Sequence, residues 1–337
     1  MRVLRFLLRR LLQLLPVLLG VVVLTFLLVR VLPGDPIRTI LGPNATAEDA
    51  AAARARYGLD QPVWRQFLDY LGGLVTGDLG TSIQSGAPVA GELAVRIGPT
   101  LELVVIALAL ALVVATALGI WSARRAGRFG DHTVRIAALV GNSLPEFWLG
   151  LVLVLLGYSV LGWAPAPSGR VDPDTDLSLL TGADLLDAAL TGNGPAFVSA
   201  LHHLMLPVLT LAIVIVAPLL RSVRASALEV LASEAYAAAE AHGLRGRLLL
   251  RGYLLRATLV RLPALAALVF GFAIGSTVLI EYVFSWQGFG QWALRGLLYR
   301  DYPVVQASVL LIALFYVVVF LIADVVHAAL DPRVRIS

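Results

Sequence analysis

The 337-residue chain is 59% hydrophobic and 14% charged, with a mean hydropathy of +0.86, which excludes an ordinary soluble domain of this length. It has no cysteine, so disulfides and thiolate chemistry are excluded; its 26 basic residues are all arginine, so a Walker A loop and a Schiff base lack their lysine. The net charge of +4 does not argue for nucleic acid, because the arginines flank apolar runs instead of forming one stripe.

A bilayer core of about 30 Å takes roughly 20 apolar residues of helix. Six stretches qualify: 11–29, 100–121, 134–161, 204–220, 262–284 and 304–326. The predicted fold is therefore all-α, a polytopic membrane protein with six transmembrane helices. The charged lead MRVLRFLLRR imitates a signal peptide, but the following stretch is too long and lacks an A-x-A site, so an uncleaved first span is expected. Arginine is concentrated before span one, between spans two and three (Arg124, Arg125, Arg128), between spans four and five, and after span six (Arg333, Arg335). The intervening link 164–203 has Arg170 alone against Asp172, Asp174, Asp176, Asp184 and Asp187. Both termini and the arginine-rich links are predicted to be cytoplasmic.

In chain order, residues 1–32 hold the first span and 33–98 form an external segment. Thr46 with Asp49 reads as a capping-box variant opening a helix that ends near Gly58, and Pro62 opens another through Leu71. Val63, Trp64, Phe67, Leu68 and Leu71 lie on or near one face of it, predicting a small packed cap. Residues 99–337 form the core. Glu102 is placed in the first turn of span two, where the helix dipole favours an anion. In span three, Pro145 leaves the carbonyl of Gly141 without its helical donor and predicts a kink. Counting about 1.5 Å per residue from Val134 puts Glu146 near mid-bilayer. A carboxylate there costs about 2.5–3.5 kcal/mol on insertion scales, so it faces a polar interior. Either it lines a path together with Asn142, Ser143 and, on span five, Ser276, or it is a hydrogen-bonded structural residue.

The link 168–194 is predicted to be a solvated loop with a short helix at 183–190. His202 and His203 beside it lack metal-ligand spacing. Pro207 and Pro218 bracket a short fourth span, and Gly271 and Gly275 allow close helix approach in the fifth. The cytoplasmic link 221–261 interrupts the apolar pattern. Residues 226–242 are strong helix formers ending at Gly243, and a basic helical segment, 244–262, stops at Pro263. Glu281 and Asp324, near the ends of spans five and six, are predicted to pair with arginine at the interface. A short interfacial or re-entrant helix is expected at 288–298, with Trp286 and Trp292 at the headgroup level.

Taken together, several motifs carry a resemblance. They are Leu32-Pro-Gly-Asp-Pro36, Gly58-Leu-Asp-Gln-Pro62, Gly77-Asp-Leu-Gly80, Pro99-Thr-Leu-Glu102, Ser143-Leu-Pro145 and Phe147-Trp-Leu-Gly150. Glu281-Tyr-Val-Phe-Ser-Trp286, Asp301-Tyr-Pro-Val-Val-Gln306 and Leu330-Asp-Pro-Arg-Val-Arg335 follow. In this order the chain resembles the permease subunit of a binding-protein-dependent ABC importer, in the dipeptide/oligopeptide/nickel branch. The acidic link near 170–195 is outside the resemblance.

The resemblance implies that residues 233–243 are similar to the EAA loop, which docks on an ATPase subunit. Ser233, Glu234, Ala235, Ala238, Ala239, Ala241, His242 and Gly243 then form the coupling surface. Ala237, Ala238, Glu240 and His242 depart from the usual basic or hydroxyl residues, and Gln287 stands where proline is common. The implied partners are a homologous second permease, two ATPase subunits, an external solute-binding protein and the lipid bilayer of a bacterial cytoplasmic membrane, without nucleic acid. No cofactor is expected on this chain; ATP and Mg belong to the ATPases. The expected role is transport and not enzymatic. Nickel chelate, glutathione or an oligosaccharide are alternative cargoes. A proton-coupled secondary transporter using Glu146 is the alternative of another class, whereas an intramembrane protease lacks a zinc-ligand or paired-aspartate set.

Overall fold

The apolar runs fold as helices throughout the computed structural model, which describes residues 2–31, 37, 41, 46–244, 246 and 248–330. The first five helices are α1 (Arg2–Val31), α2 (Ala47–Arg56), α3 (Val63–Thr76), α4 (Val89–Arg124) and α5 (Phe129–Ser143). Then come α6 (Glu146–Val154, continued by a π-helical turn Leu155–Val160), α7 (Asp184–Thr191), α8 (Gly194–Leu231) and α9 (Glu234–Ala241). After a π-helical turn (Leu249–Leu255), α10 (Arg256–Leu259), α11 (Leu262–Val283), α12 (Phe289–Leu298) and α13 (Tyr302–Leu330) complete the fold. The motifs at 32–36 and 331–335, and Arg245 and Arg247, lie outside the described residues.

Among the described residues, α4, α8, α11 and α13 are long and apolar enough to cross a membrane, and α5 with α6, bent by 102°, adds a fifth if the pair is one broken span. The apolar length recognised in α1 is Pro16–Arg30.

The core is the contact between α4 and α8. Ala107, Ala111, Ala115 and Gly119 recur every fourth residue along α4 and are buried. They present a strip without side-chain bulk, so Leu211, Ile215, Leu219 and Val223 of α8, also buried, come close. A Cβ on Gly119 would stand 2.7 Å from Val223 Cγ1, so this crossing excludes even alanine. Gly271 has the same use in α11, lying under the ring of Tyr316 on α13.

Several predicted boundaries change. The fourth helix is not short: α8 runs through both Pro207 and Pro218, with bonds on either side holding the helix where each proline removes a donor. Helix α4 begins at Val89, so Glu102 sits three turns inside it and not in its first turn. The helix expected over 226–242 is broken at Ala232–Ser233, because Ser233 is extended (φ −77°, ψ 144°) and caps α9 instead of continuing α8. The basic segment 244–262 is likewise divided, by the wide turn Leu249–Leu255.

The described residues of segment 33–98 obey their local signals more closely than their packing forecast. Thr46 Oγ1 accepts from the Asp49 N–H while the Asp49 carboxylate accepts from the Thr46 N–H, so the capping box is complete. These Thr46 hydrogen bonds hold the Asp49 carboxyl below its usual range. In α3, however, Val63, Trp64 and Leu68 stay exposed. The contact made is by Phe67 and Tyr70 with Phe26 of α1, at ring-centroid distances of 4.9 and 5.9 Å.

Candidate functional site

Helix α9 is held at both ends and buried nowhere. At its start Ser233 Oγ accepts from the Tyr236 N–H, satisfying one of the orphan donors of a helix N-terminus. At its end Gly243 adopts φ +86°, and the Gly243 and Leu244 N–H groups donate to the carbonyls of Glu240 and Ala239. A side chain at that φ is strained, so glycine closes the helix. Between the caps Glu234, Ala235, Ala237, Ala238, Glu240, Ala241 and His242 are exposed, and Ala239 is half-buried. Tyr236 turns inward, edge-on to Tyr253 at 6.1 Å. A two-turn helix with four exposed alanines among Glu234, Glu240 and His242 buries no residue of its own and leaves most of its length open.

The root of this helix is clamped. Arg224, two turns before the end of α8, donates from Nε and Nη2 to the two oxygens of Asp131 on α5, both at 2.7 Å. Asp131 is buried and also accepts from Ser122 Oγ of α4 and from the Gly127 N–H. Arg261 and Glu229 form a second, exposed clamp between the start of α11 and the end of α8. Sequence reasoning missed both. The available signal was Asp131 itself, the sole acid among Arg124, Arg125, Arg128 and Arg135.

The expected kink in the third crossing is a full break. Leu144 precedes a proline and is driven to ψ 138°, Pro145 follows at ψ 134°, and α5 and α6 meet at 102°. The rise count that placed Glu146 near mid-bilayer assumed one straight helix and does not hold. Glu146 instead begins α6, where helix N–H groups favour a carboxylate. Its Oε1 accepts from Ser276 Oγ of α11 at 2.7 Å, uniting two of the four path candidates. Asn142 and Ser143 are exposed on α5, the Ser143 hydroxyl donating to its own helix at Leu139.

Glu281, also on α11, corrects another expectation. It is fully buried, and no arginine among the described residues pairs with it; its carboxylate accepts from Thr100 Oγ1 and the Gln291 N–H. Trp286 and Trp292 are buried too, packed inside the protein. Their indole N–H groups donate to the Pro99 carbonyl and to Glu92. A Cβ on Gly288 would stand 2.4 Å from Thr100 Oγ1, so glycine is needed for α12 to seat on Glu281. The signal for this network was weak because Thr100 and Glu281 are far apart in sequence.

The acidic link is not simply solvated. Asp184 and Asp187 are buried. Burial pushes the Asp187 carboxyl up, but the Thr181 hydroxyl and the N–H groups of Thr181, Leu180 and Gly182 outweigh it and hold it below the usual range. Asp184 is pushed up by burial despite Arg170 at 3.2 Å. Glu102 Oε1 accepts from the Leu186 N–H and so anchors α7 to α4.

The profile of the family described as binding-protein-dependent transport system inner membrane component matches residues 115–336, and that of its N-terminal counterpart matches residues 3–114. A probable D,D-dipeptide transport system permease protein, DdpB of Escherichia coli (strain K12), is 40% identical over 316 residues, covering 94% of this chain and 93% of that protein. The dipeptide transport system permease protein DppB of the same strain is 37% identical over 337 residues (98% and 99%). The glutathione transport system permease protein GsiC of Escherichia coli O6:H1 is 36% identical over 332 residues (98% and 99%).

Proposed function

The chain belongs to the family of binding-protein-dependent transport system inner membrane components, and on that premise we propose how it works as a peptide importer permease: motion enters through α9. It is a multi-pass membrane protein and a transport subunit, not an enzyme. The observation that carries the coupling role is a helix capped at Ser233 and Gly243, exposed between them and clamped at its root by Asp131 and Arg224. An exposed alanine face fits a groove on a partner. The clamp passes displacement into α4, α5 and α8 instead of letting it dissipate in a loose loop.

The cargo is a di- or oligopeptide, in keeping with the relatives named for dipeptides. Glutathione is the second reading, favoured by the relative named for it. This chain supplies half of the path in a bacterial cytoplasmic membrane, with six crossings and both termini inside, and a homologous permease supplies the other half. Residues 1–32, 33–98 and 99–337 serve as first span, external segment and core. Two ATPases hold ATP and Mg beneath it, and an external solute-binding protein delivers cargo. Glu146 and Ser276, with Asn142 and Ser143 on the adjoining helix, line the path and meet polar groups of the cargo.

Proteoliposomes containing this chain and its co-encoded subunits, supplied with binding protein, are expected to accumulate labelled dipeptide only with ATP. Accumulation driven by a proton gradient without ATP would instead establish a secondary transporter.

A further inference from the structure

Near the arginine-rich end of the bundle, a cavity of about 1110 Å³ opens between the last turns of α4, the start of α11 and the last turns of α13. Its walls are apolar; Val113, Ile120, Leu259, Pro263, Ile322 and Val326 are representative. Its mouth is not. Arg124, Arg125, Arg128 and Arg251 line it, and no hydrogen bond or ion pair ties their guanidinium groups to an acid among the described residues. Arg125 lies over the Trp121 ring at 4.6 Å, and Gly130 leaves room for that ring at the rim. An apolar slot ending in four cations has the two-part chemistry of an amphiphile with an anionic head.

We propose that this groove binds an anionic diacyl phospholipid of the cytoplasmic leaflet. The acyl chains lie along α4, α11 and α13, and the phosphate sits among Arg124, Arg125, Arg128 and Arg251. Charge complementarity decides the occupant. An apolar transmembrane helix of a second subunit would fill the apolar walls but give the four arginines no counter-charge, whereas a phosphodiester accepts from several guanidinium groups at once. Leu250, Arg251 and Leu255 of the wall belong to the segment just after α9, so a seated lipid stiffens the lever where motion enters. The site rests on the cytoplasmic orientation proposed above, but lipid retention is read without reference to orientation, so the two fail separately.

The test uses the full chain purified in mild detergent and exposed to phosphatidylglycerol or phosphatidylcholine, with bound lipid read by native mass spectrometry. Phosphatidylglycerol is expected to be retained preferentially, and replacing Arg124, Arg128 and Arg251 by glutamine is expected to weaken retention by about fivefold per arginine. As a measurement independent of those variants, brominated lipid is added to the wild-type chain and to Trp121→Phe. The fluorescence lost with Trp121 is expected to be quenched more by brominated phosphatidylglycerol than by its phosphatidylcholine counterpart. Equal retention of the two lipids, retention unchanged in the glutamine variants, equal quenching, or cross-links from Val113 to a neighbouring subunit in the assembled transporter would each overturn the proposal.

Discussion

Replacing Asp131 by asparagine is the sharpest perturbation of the lever. The carboxylate's Oδ1 takes Arg224 Nε and Ser122 Oγ, and its Oδ2 takes Arg224 Nη2 and the Gly127 N–H. Asparagine keeps one oxygen and turns the other into a donor: with the NH2 group at the Oδ2 site Arg224 Nη2 and the Gly127 N–H both face a donor, and with it at the Oδ1 site Arg224 Nε does, the Ser122 hydroxyl turning to accept. Arg224 also loses its counter-charge. Removing one partner of a buried pair costs about 3–5 kcal/mol. The Arg224 side chain keeps 20% of its surface open, and hydration of that part brings the expected cost to about 2–3 kcal/mol. The assay is a double-mutant cycle of D131N, R224M and the pair, with unfolding in denaturing detergent followed by tryptophan fluorescence. The double variant is expected to recover a large part of the single-variant loss, with a coupling energy above about 1 kcal/mol. In the assembled transporter, D131N is expected to lower uptake more than ATP hydrolysis, because the clamp at the root of α9 is gone. Additive single losses with uptake unchanged would refute the clamp.

At Gly243, φ is +86° and an added Cβ meets nothing within 4 Å, so Gly243→Val acts only through backbone strain. A cost of about 1–2 kcal/mol or more is expected, with lower uptake and weaker ATPase co-purification, and Gly243→Asn should retain most of both. Gly288→Ala pushes a methyl group onto Thr100 and Glu281 and should cut the yield of folded protein, read by size-exclusion chromatography; a normal yield would disprove the tight seat. For Asp187, whose carboxyl is held below its usual range, the stabilisation is present above the unfolded-state value and is lost as pH falls through the folded one. Hydrogen exchange across 180–193 should therefore show loosening in acid, and Asp187→Asn should be loosened already at neutral pH with a flatter profile. Glu146→Gln keeps an acceptor for Ser276 but removes the charge, so it should slow uptake of dipeptides with a free ammonium group while leaving thermal stability nearly unchanged.

Local chemistry made much of this legible. Thr46 and Asp49 announce a capping box, Ser233 and Gly243 bracket a short helix, and Pro145 marks the break in the third crossing; each acts on its own neighbours in sequence. What sequence reading underestimated is the cumulative effect at Leu144–Pro145, where two extended residues in a row produce a turn instead of a kink. Long-range partners were not legible. Glu281 reads as an interfacial carboxylate until Thr100 and the Gln291 N–H of α12 come to it, and nothing local in the sequence pairs Trp286 with Pro99 or Trp292 with Glu92. Apolar periodicity likewise cannot say where a helix stops when polar residues such as Glu102 are satisfied by another element, which is why α4 and α8 outrun their apolar stretches.

Because the chain contains no cysteine, a single Ala238→Cys reports on α9 without background. In intact cells that thiol is expected to resist a membrane-impermeant maleimide added from outside, and in the assembled transporter to cross-link to the ATPase subunit at a yield that changes on ATP binding. Labelling from outside, or a thiol that never contacts the ATPase in any nucleotide state, would contradict entry of motion through this helix.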